Sequence, residues 1–307
     1  MTKDLVTIAN LTASQINDIL ELTAKLKQNK KRFSKVLNGK TLALIFQKPS
    51  NRTRVSFEVG MYQLGGNAIY LSPGEINLGV RESVQDVAKT LSRFVDGIVL
   101  RTFEHTNVVE LAKYASVPVI NGLSDFSHPC QALADIFTVK EKLKKTRGVT
   151  IAYVGDGNNV CNSLLYICSK LGINIHVAAP KGYQADGGVI EGAIAMAAKN
   201  GSTVKIFTDP LKAVDGADAI YTDVWTSMGQ ERESALRKKA FKAFQVNAKL
   251  MSRAKKNVLI MHCLPAHRGE EITEDAIDGP NSVVFDEAEN RMHVQKAVLI
   301  KLLGDTK

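Results

Sequence analysis

Ten short apolar runs punctuate this 307-residue chain, and most are followed by a stretch with helical spacing. They are TLALIF (41–46), AIYL (68–71), GIVL (97–100), VPVI (117–120), TIAYVG (150–155), NIHVAA (174–179), VKIFT (204–208), AIYTDV (219–224), VLIMHCL (258–264) and SVVF (282–285). Helical segments are expected at 55–64, 83–94, 106–115, 128–143 and 291–303, and Thr12 with Gln15 forms a capping-box pattern ahead of another. Strands alternating with helices cannot be joined by hairpins, so the pattern predicts an α/β chain with parallel sheets covered by helices on both faces.

The basic, glycine-containing joint KKTRG near residue 145 divides the alternation into two series. The expectation is two doubly wound domains, 1–145 and 146–290, with a C-terminal helix in 291–307 packing back on the first. The length suits two cores. No apolar run approaches the ~18 residues of a membrane span, and the N-terminus has no apolar signal region. The formal charge of +9 resides mostly in lysines strewn along amphipathic helices, without zinc-finger spacing or an RNP-type aromatic run. No nucleic-acid partner is therefore expected. Four cysteines (Cys130, Cys161, Cys168, Cys263) without a CxxC pair argue against a disulfide framework or zinc site and fit a reducing, cytoplasmic setting.

In doubly wound sheets ligands bind beyond the carboxyl ends of the strands, and six such ends carry unusual polar groups. After TLALIF comes PSNRTR, where Ser50, Asn51 and Thr53 are all helix-capping types. This is either a plain cap or an anion site in which a helix N-terminus is joined by Arg52 and Arg54. Arg101 directly follows GIVL. His128 opens the helix of SHPCQ, with Gln131 one turn further on. VGDGNN lacks the closing glycine of a dinucleotide fingerprint, which leaves a tight turn presenting Asn158 and Asn159. Finally, Asp223 of DVWTSMG ends one strand, while Cys263 and Leu264 of MHCLPAHRGEE end another. His262 and His267 are not in HExxH spacing, and neither a P-loop nor a GxSxG elbow is present. Six such ends in one alternating chain point to a ligand-binding protein.

Together these segments resemble the aspartate/ornithine carbamoyltransferase family, and its ornithine-using branch in particular. PSNRTR is similar to that family's phosphate motif, LRTFEH and SHPCQALAD to its carbamoyl-phosphate segments, and DVWTSMGQE and HCLPAHRG to its ornithine segments, in the same order. ENRMHVQKAVL completes the series, so the resemblance spans nearly the whole chain.

The resemblance implies a carbamoyl-phosphate domain, an ornithine domain and an active site in the cleft between them. It implies that Ser50, Asn51, Arg52, Thr53, Arg101, His128, Gln131, Cys263, Leu264 and Arg291 hold carbamoyl phosphate. A neighbouring subunit of a homotrimer would add Asn77. Asn159, Asp223, Ser227 and Met228 would hold L-ornithine, with the SMG loop closing over it. Catalysis would fall to Arg52, Arg101, His128 and Cys263. The δ-amine would be carbamoylated to give citrulline and phosphate, in arginine metabolism. No metal or organic cofactor is implied, because the phosphate already activates the carbonyl. A putrescine-using relative is the alternative; it would have no use for Asp223 as an anchor of the α-ammonium. Two positions depart from the family pattern: Asn51 stands where threonine is usual, and Asn77 where glutamine is often found.

Overall fold

The structure is a computed structural model and describes residues 3–304. The first four apolar runs become β1 (Thr41–Phe46), β2 (Asn67–Leu71), β3 (Gly97–Arg101) and β4 (Val119–Leu123). They pair in parallel in the order β2-β1-β3-β4. The next five become β5 (Thr150–Val154), β6 (Asn174–Ala178), β7 (Val204–Phe207), β8 (Ala219–Thr222) and β9 (Leu259–His262). Their order is β7-β6-β5-β8-β9, again all parallel. The central strands read as unbroken apolar runs because helices cover both faces. Every residue of β3 is buried, whereas the edge strand β2 is half-exposed.

Residues up to Phe137, together with those from Glu289 onward, form one compact unit, and Thr138–Ala288 form the other. In the first, Ala43, Ile45, Ile98 and Leu100 pack with Val84, Val87, Val108 and Leu111 from covering helices. In the second, Ala152, Val154, Ile220 and Ile260 pack against Trp225, Phe241, Phe244 and Val246.

Strand order reverses once in each sheet, because β1 is flanked by β2 and β3, and β5 by β6 and β8. At such a switch point the connections leave in opposite directions and open a crevice beyond the strand ends. One crevice therefore lies past Phe46 and Arg101, which are register partners. The other lies past Val154 and Thr222, the last residues of β5 and β8.

Two elements differ from expectation. SVVF is not a strand: Ser282 makes an isolated bridge to Ile260, and Val284 already begins the helix Val284–Leu303. A four-residue apolar run cannot be told from a helix start by its spacing. This places Arg291 in the middle of that helix rather than at its start. The helix after β1 also begins earlier than expected, spanning Asn51–Gln63, because Ser50 caps it. The capping box of Thr12 and Gln15 forms as read.

Candidate active site

Beyond β1 the chain turns at Ser50, whose extended backbone and side chain cap the helix Asn51–Gln63. Its Oγ accepts the Thr53 N–H at 3.2 Å and donates to Thr53 Oγ1 at 3.1 Å. Asn51 Oδ1 accepts the Arg52 N–H at 2.6 Å, so asparagine performs local helix-start bonding at this departure from the family pattern. Arg52 and Thr53 thus fall in the first helical turn, where N–H groups and the macrodipole favour negative charge. Arg54 is engaged elsewhere: it pairs with Glu58 at 2.9 Å and stacks 3.7 Å from the Tyr70 ring centre.

Arg101 ends β3, its carbonyl accepting the Gln47 N–H at 2.8 Å. His128 is set by a turn after β4 in which Ser127 N–H donates to Ser124 Oγ and Asn121 Nδ2 donates to the Ser127 carbonyl. Its own carbonyl accepts from Gln131 and Ala132 and so begins the helix Pro129–Leu143. Arg291 donates to Thr53 Oγ1 at 3.0 Å and to Gln131 Oε1 at 2.7 Å, while Gln131 Nε2 donates to Asp135 at 2.8 Å. All four of these residues are buried, as are Arg101 and His128.

Burial pushes the His128 imidazole well below its ordinary pKa, and the positive charges of Arg291, Arg101 and Arg52 push it further. The ring is therefore neutral at neutral pH, and the charges of three guanidinium groups act on this one uncharged hydrogen-bonding group. Concentrated positive charge in a poorly solvated pocket next to a helix start is an arrangement for an anion. Asn77 lies on an exposed loop in the left-handed region, at φ 45°, and its carbonyl accepts from Val80 and Arg81.

In the second unit Asn158 caps the helix Asn159–Leu171 with Oδ1 and donates through Nδ2 to Asp223 Oδ2 at 2.7 Å. The Cys263 S–H donates to Asp223 Oδ1 at 2.9 Å, and the Val224 N–H donates to the same oxygen at 2.8 Å. Three donors hold this buried carboxylate, and they come from the turns after β5, β8 and β9. The glycine after Asp156 is a packing requirement and not a nucleotide signature: a Cβ on Gly157 would lie 2.0 Å from Ala185 N. Ser227 and Met228 lie on the segment after Trp225, and Met228 is exposed.

A buried network steadies Cys263 and Leu264, and sequence reading missed it. His262 Nδ1 accepts the Leu264 N–H at 2.8 Å, which leaves Nε2–H to donate to Glu271 Oε1 at 3.1 Å. The His262 N–H donates to Glu287, which also accepts from Tyr221. Leu264 adopts φ 56°, a conformation that costs a branched residue ~1–3 kcal/mol and needs such support. No periodic pattern ties His262 to a glutamate nine residues away, so only the fold reveals the pair. Asp223, His262 and Cys263 stand close enough to share a cation, but both imidazole nitrogens are engaged in hydrogen bonds. In a second grouping, His267, Glu270 and Glu271, the Glu270 carboxylate is paired with Lys238 at 2.6 Å. All four cysteines are free, and burial pushes the Cys130 thiol up to about 12.

Known proteins resemble this chain along its length. The aspartate/ornithine carbamoyltransferase family model matches in two parts, its carbamoyl-P binding domain on residues 3–141 and its Asp/Orn binding domain on residues 147–302. The chain belongs to this carbamoyltransferase family. The ornithine carbamoyltransferase of Pyrococcus horikoshii is 56% identical, over 99% of this chain and 97% of that relative. A Pyrococcus furiosus relative named ornithine carbamoyltransferase, anabolic, is 54% identical over 99% of this chain and 98% of its own length. The solved structure of ornithine carbamoyltransferase from Pyrococcus furiosus superimposes with a TM-score of 0.96 at 54% identity, covering 99% of this chain and 98% of that one. Arg52, Arg101 and His128 fall in the part matched by the carbamoyl-P binding domain, whereas Asp223 and Arg291 fall in the part matched by the Asp/Orn binding domain, although Arg291 bonds to Thr53 and Gln131 of the first.

Proposed function

We propose that this chain transfers the carbamoyl group of carbamoyl phosphate to the δ-amine of L-ornithine, giving citrulline and phosphate. The observation that carries the reading is that buried Arg291 bonds both to Thr53 at the capped helix start carrying Arg52 and to Gln131, one turn from the neutral, buried His128, on which Arg52, Arg101 and Arg291 all act. The phosphate takes the N–H groups of the first turn with Ser50, Asn51, Arg52 and Thr53. Arg101, His128 and Thr53 meet the carbonyl oxygen, Gln131 lies along the carbamoyl group, and Leu264 and Cys263 border it. Neutral imidazole suits this role, since an uncharged N–H donor does not add a further cation beside the buried Arg101 and Arg291. Removing one donor to a developing oxyanion costs ~10²–10³ in kcat.

On the ornithine side Asp223 anchors the α-ammonium, with Asn159, Ser227 and Met228 around the amino-acid end. Asp223 is held in place by Asn158, Val224 and Cys263, so an ammonium meets a carboxylate already fixed in orientation. The δ-amine must lose its proton before it attacks, and desolvation beside arginines favours the neutral form. Attack at the carbonyl carbon forms the new C–N bond, and collapse expels phosphate, whose charge Arg52 stabilises.

The chain also assembles as a homotrimer in which Asn77 of a neighbouring copy reaches the phosphate. The apolar side chains of Val55, Tyr62, Ile69 and Val80, exposed on or near the edge strand β2, support this. Among the described residues no helix is long and apolar enough to cross a membrane. Four free cysteines support a cytoplasmic setting, and a close relative named anabolic supports the citrulline-forming direction. The test is a citrulline assay with carbamoyl phosphate and four acceptors in parallel: ornithine, putrescine, aspartate and N-acetylornithine. Ornithine should be strongly preferred; preference for putrescine or aspartate would overturn the assignment of the acceptor.

A further inference from the structure

Arg237 lies in the helix Ser234–Phe241 and is only 7% exposed. A cation buried so deeply needs partners for its donors. Nη1 donates to Asp156 Oδ2 at 2.9 Å and to the Trp225 carbonyl at 3.1 Å, and Nε donates to Glu233 at 3.0 Å. Its guanidinium carbon also sits 5.1 Å from the centre of the Tyr183 ring. Asp156 belongs to the turn after β5, and Trp225 and Glu233 bracket the segment 226–232 on either side.

The same helix holds the Trp225 ring, which stacks on Phe241 at 5.9 Å, while Tyr183 meets Phe241 edge-on at 5.0 Å. Inside the segment the Ser227 N–H donates to Gln230, the Gln230 N–H donates to the Ser227 carbonyl, and the Gly229 N–H donates to Glu231. Both ends of the segment that carries Ser227 and Met228 are thus bonded to Arg237, at the Trp225 carbonyl and at Glu233.

We propose that Arg237, seated on Asp156, is a positioning residue that fixes the segment carrying Ser227 and Met228 and so sets the affinity for ornithine without touching it. This rests on the reading of Ser227 and Met228 as ornithine contacts given above. Asp156 also links the clamp to the rest of the site, because Tyr153 OH donates both to its carbonyl and to Asn158 Oδ1.

The clamp is sensitive to pH. Burial pushes the Asp156 carboxyl up to about 6, against the opposing pull of Arg237, and Asp223 and Glu233 push it further up. The titratable and charged groups around it are Arg237 and Glu233 from one side, Asp223 after β8, Tyr153 on β5, and Cys161, whose thiol it in turn pushes up. Above that pH the carboxylate is ionised and holds Arg237; as pH falls through it, Asp156 takes a proton and the charge-assisted bond weakens.

The experiment is steady-state kinetics of the intact enzyme, with ornithine varied at saturating carbamoyl phosphate, for wild type, Arg237→Met, Arg237→Lys, Asp156→Asn and Ser227→Ala. Losing a buried charged hydrogen bond should raise the ornithine KM of Arg237→Met about tenfold or more. Its kcat and its KM for carbamoyl phosphate should stay within about threefold. Arg237→Lys should restore part of the loss, since it keeps a charge for Asp156 but cannot fork to Trp225. Asp156→Asn should have a raised ornithine KM that lacks the extra rise wild type shows between about pH 7 and 5.5. Trp225 is the single tryptophan, so its emission should change over the same window in wild type and not in Asp156→Asn.

If Ser227→Ala leaves the ornithine KM unchanged, the assignment of the ligand contacts is wrong. If Ser227→Ala raises it and Arg237→Met does not, the positioning role is overturned. Equal loss toward both substrates in Arg237→Met, or identical pH profiles for wild type and Asp156→Asn, would also overturn it.

Discussion

The two strand-end crevices of this chain use opposite electrostatics. In the first unit, the positive charges of Arg52, Arg101 and Arg291 act on His128, and they and its burial keep that imidazole neutral. In the second, a single carboxylate, Asp223, is held by an amide, a thiol and a backbone N–H. The first arrangement concentrates positive charge where water is scarce, which suits a dianionic phosphate and holds it by charge. The second offers one negative charge among neutral donors, which suits the ammonium end of a zwitterion and holds it by orientation. One fold principle, ligands at the point where strand order reverses, thus supports two chemistries because the turns carry different residues.

The largest expected effect comes from treating the two crevices separately. Arg52→Ala should lower kcat/KM for carbamoyl phosphate by ~10³ or more, because it removes charge from both the bound phosphate and the leaving group. Asp223→Ala should instead damage mainly the ornithine term, by ~10². Kinetics with each substrate varied would check this, and equal losses toward both substrates in both variants would erase the distinction between the crevices.

A smaller effect concerns acid stability. The folded-state pKa of His128 is depressed, so the unfolded chain binds a proton that the folded chain refuses. Stability from this group is therefore present above the ordinary histidine pKa of ~6.5 and is lost as pH falls below it. Denaturant unfolding of wild type and His128→Gln between pH 7.5 and 5.5 should show the slope reduced in the variant. An unchanged slope would mean that the folded chain does not hold the His128 pKa below its ordinary value.

The smallest effect is expected at Arg54. It pairs with Glu58 at a largely exposed position, and such pairs contribute under ~1 kcal/mol. Arg54→Ala should leave carbamoyl-phosphate kinetics nearly unchanged. A loss matching that of Arg52→Ala would place Arg54 in the cradle after all.

Much of this was legible before the fold was known. Strand and helix alternation predicted parallel sheets, and nine of the ten apolar runs are strands of the two sheets. The exception, SVVF, fails because four apolar residues carry no period, and its last two belong to a helix. Ser50 is legible as a capping type, although the helix it caps starts at Asn51 and not at residue 55, and Asn158 at the turn after β5 also caps a helix, since capping depends on side chains within three residues of the chain turn. Glu271, Glu287, Asp156 and Arg237 were not singled out. Each acts through a partner distant in sequence, such as Arg237 with Asp156, 81 residues apart.

The sequence by itself therefore determined the alternating architecture, the polar strand ends and the resemblance that unites them, because propensity, capping and motif order are local properties of the chain. Only the tertiary structure decided which of those polar groups share an environment. It stacked Arg54 on Tyr70, gathered Arg291 with Thr53 and Gln131, and seated Arg237 on Asp156. The reason is physical: burial and charge clustering arise from residues far apart in the chain, and no local window contains both members of such a pair.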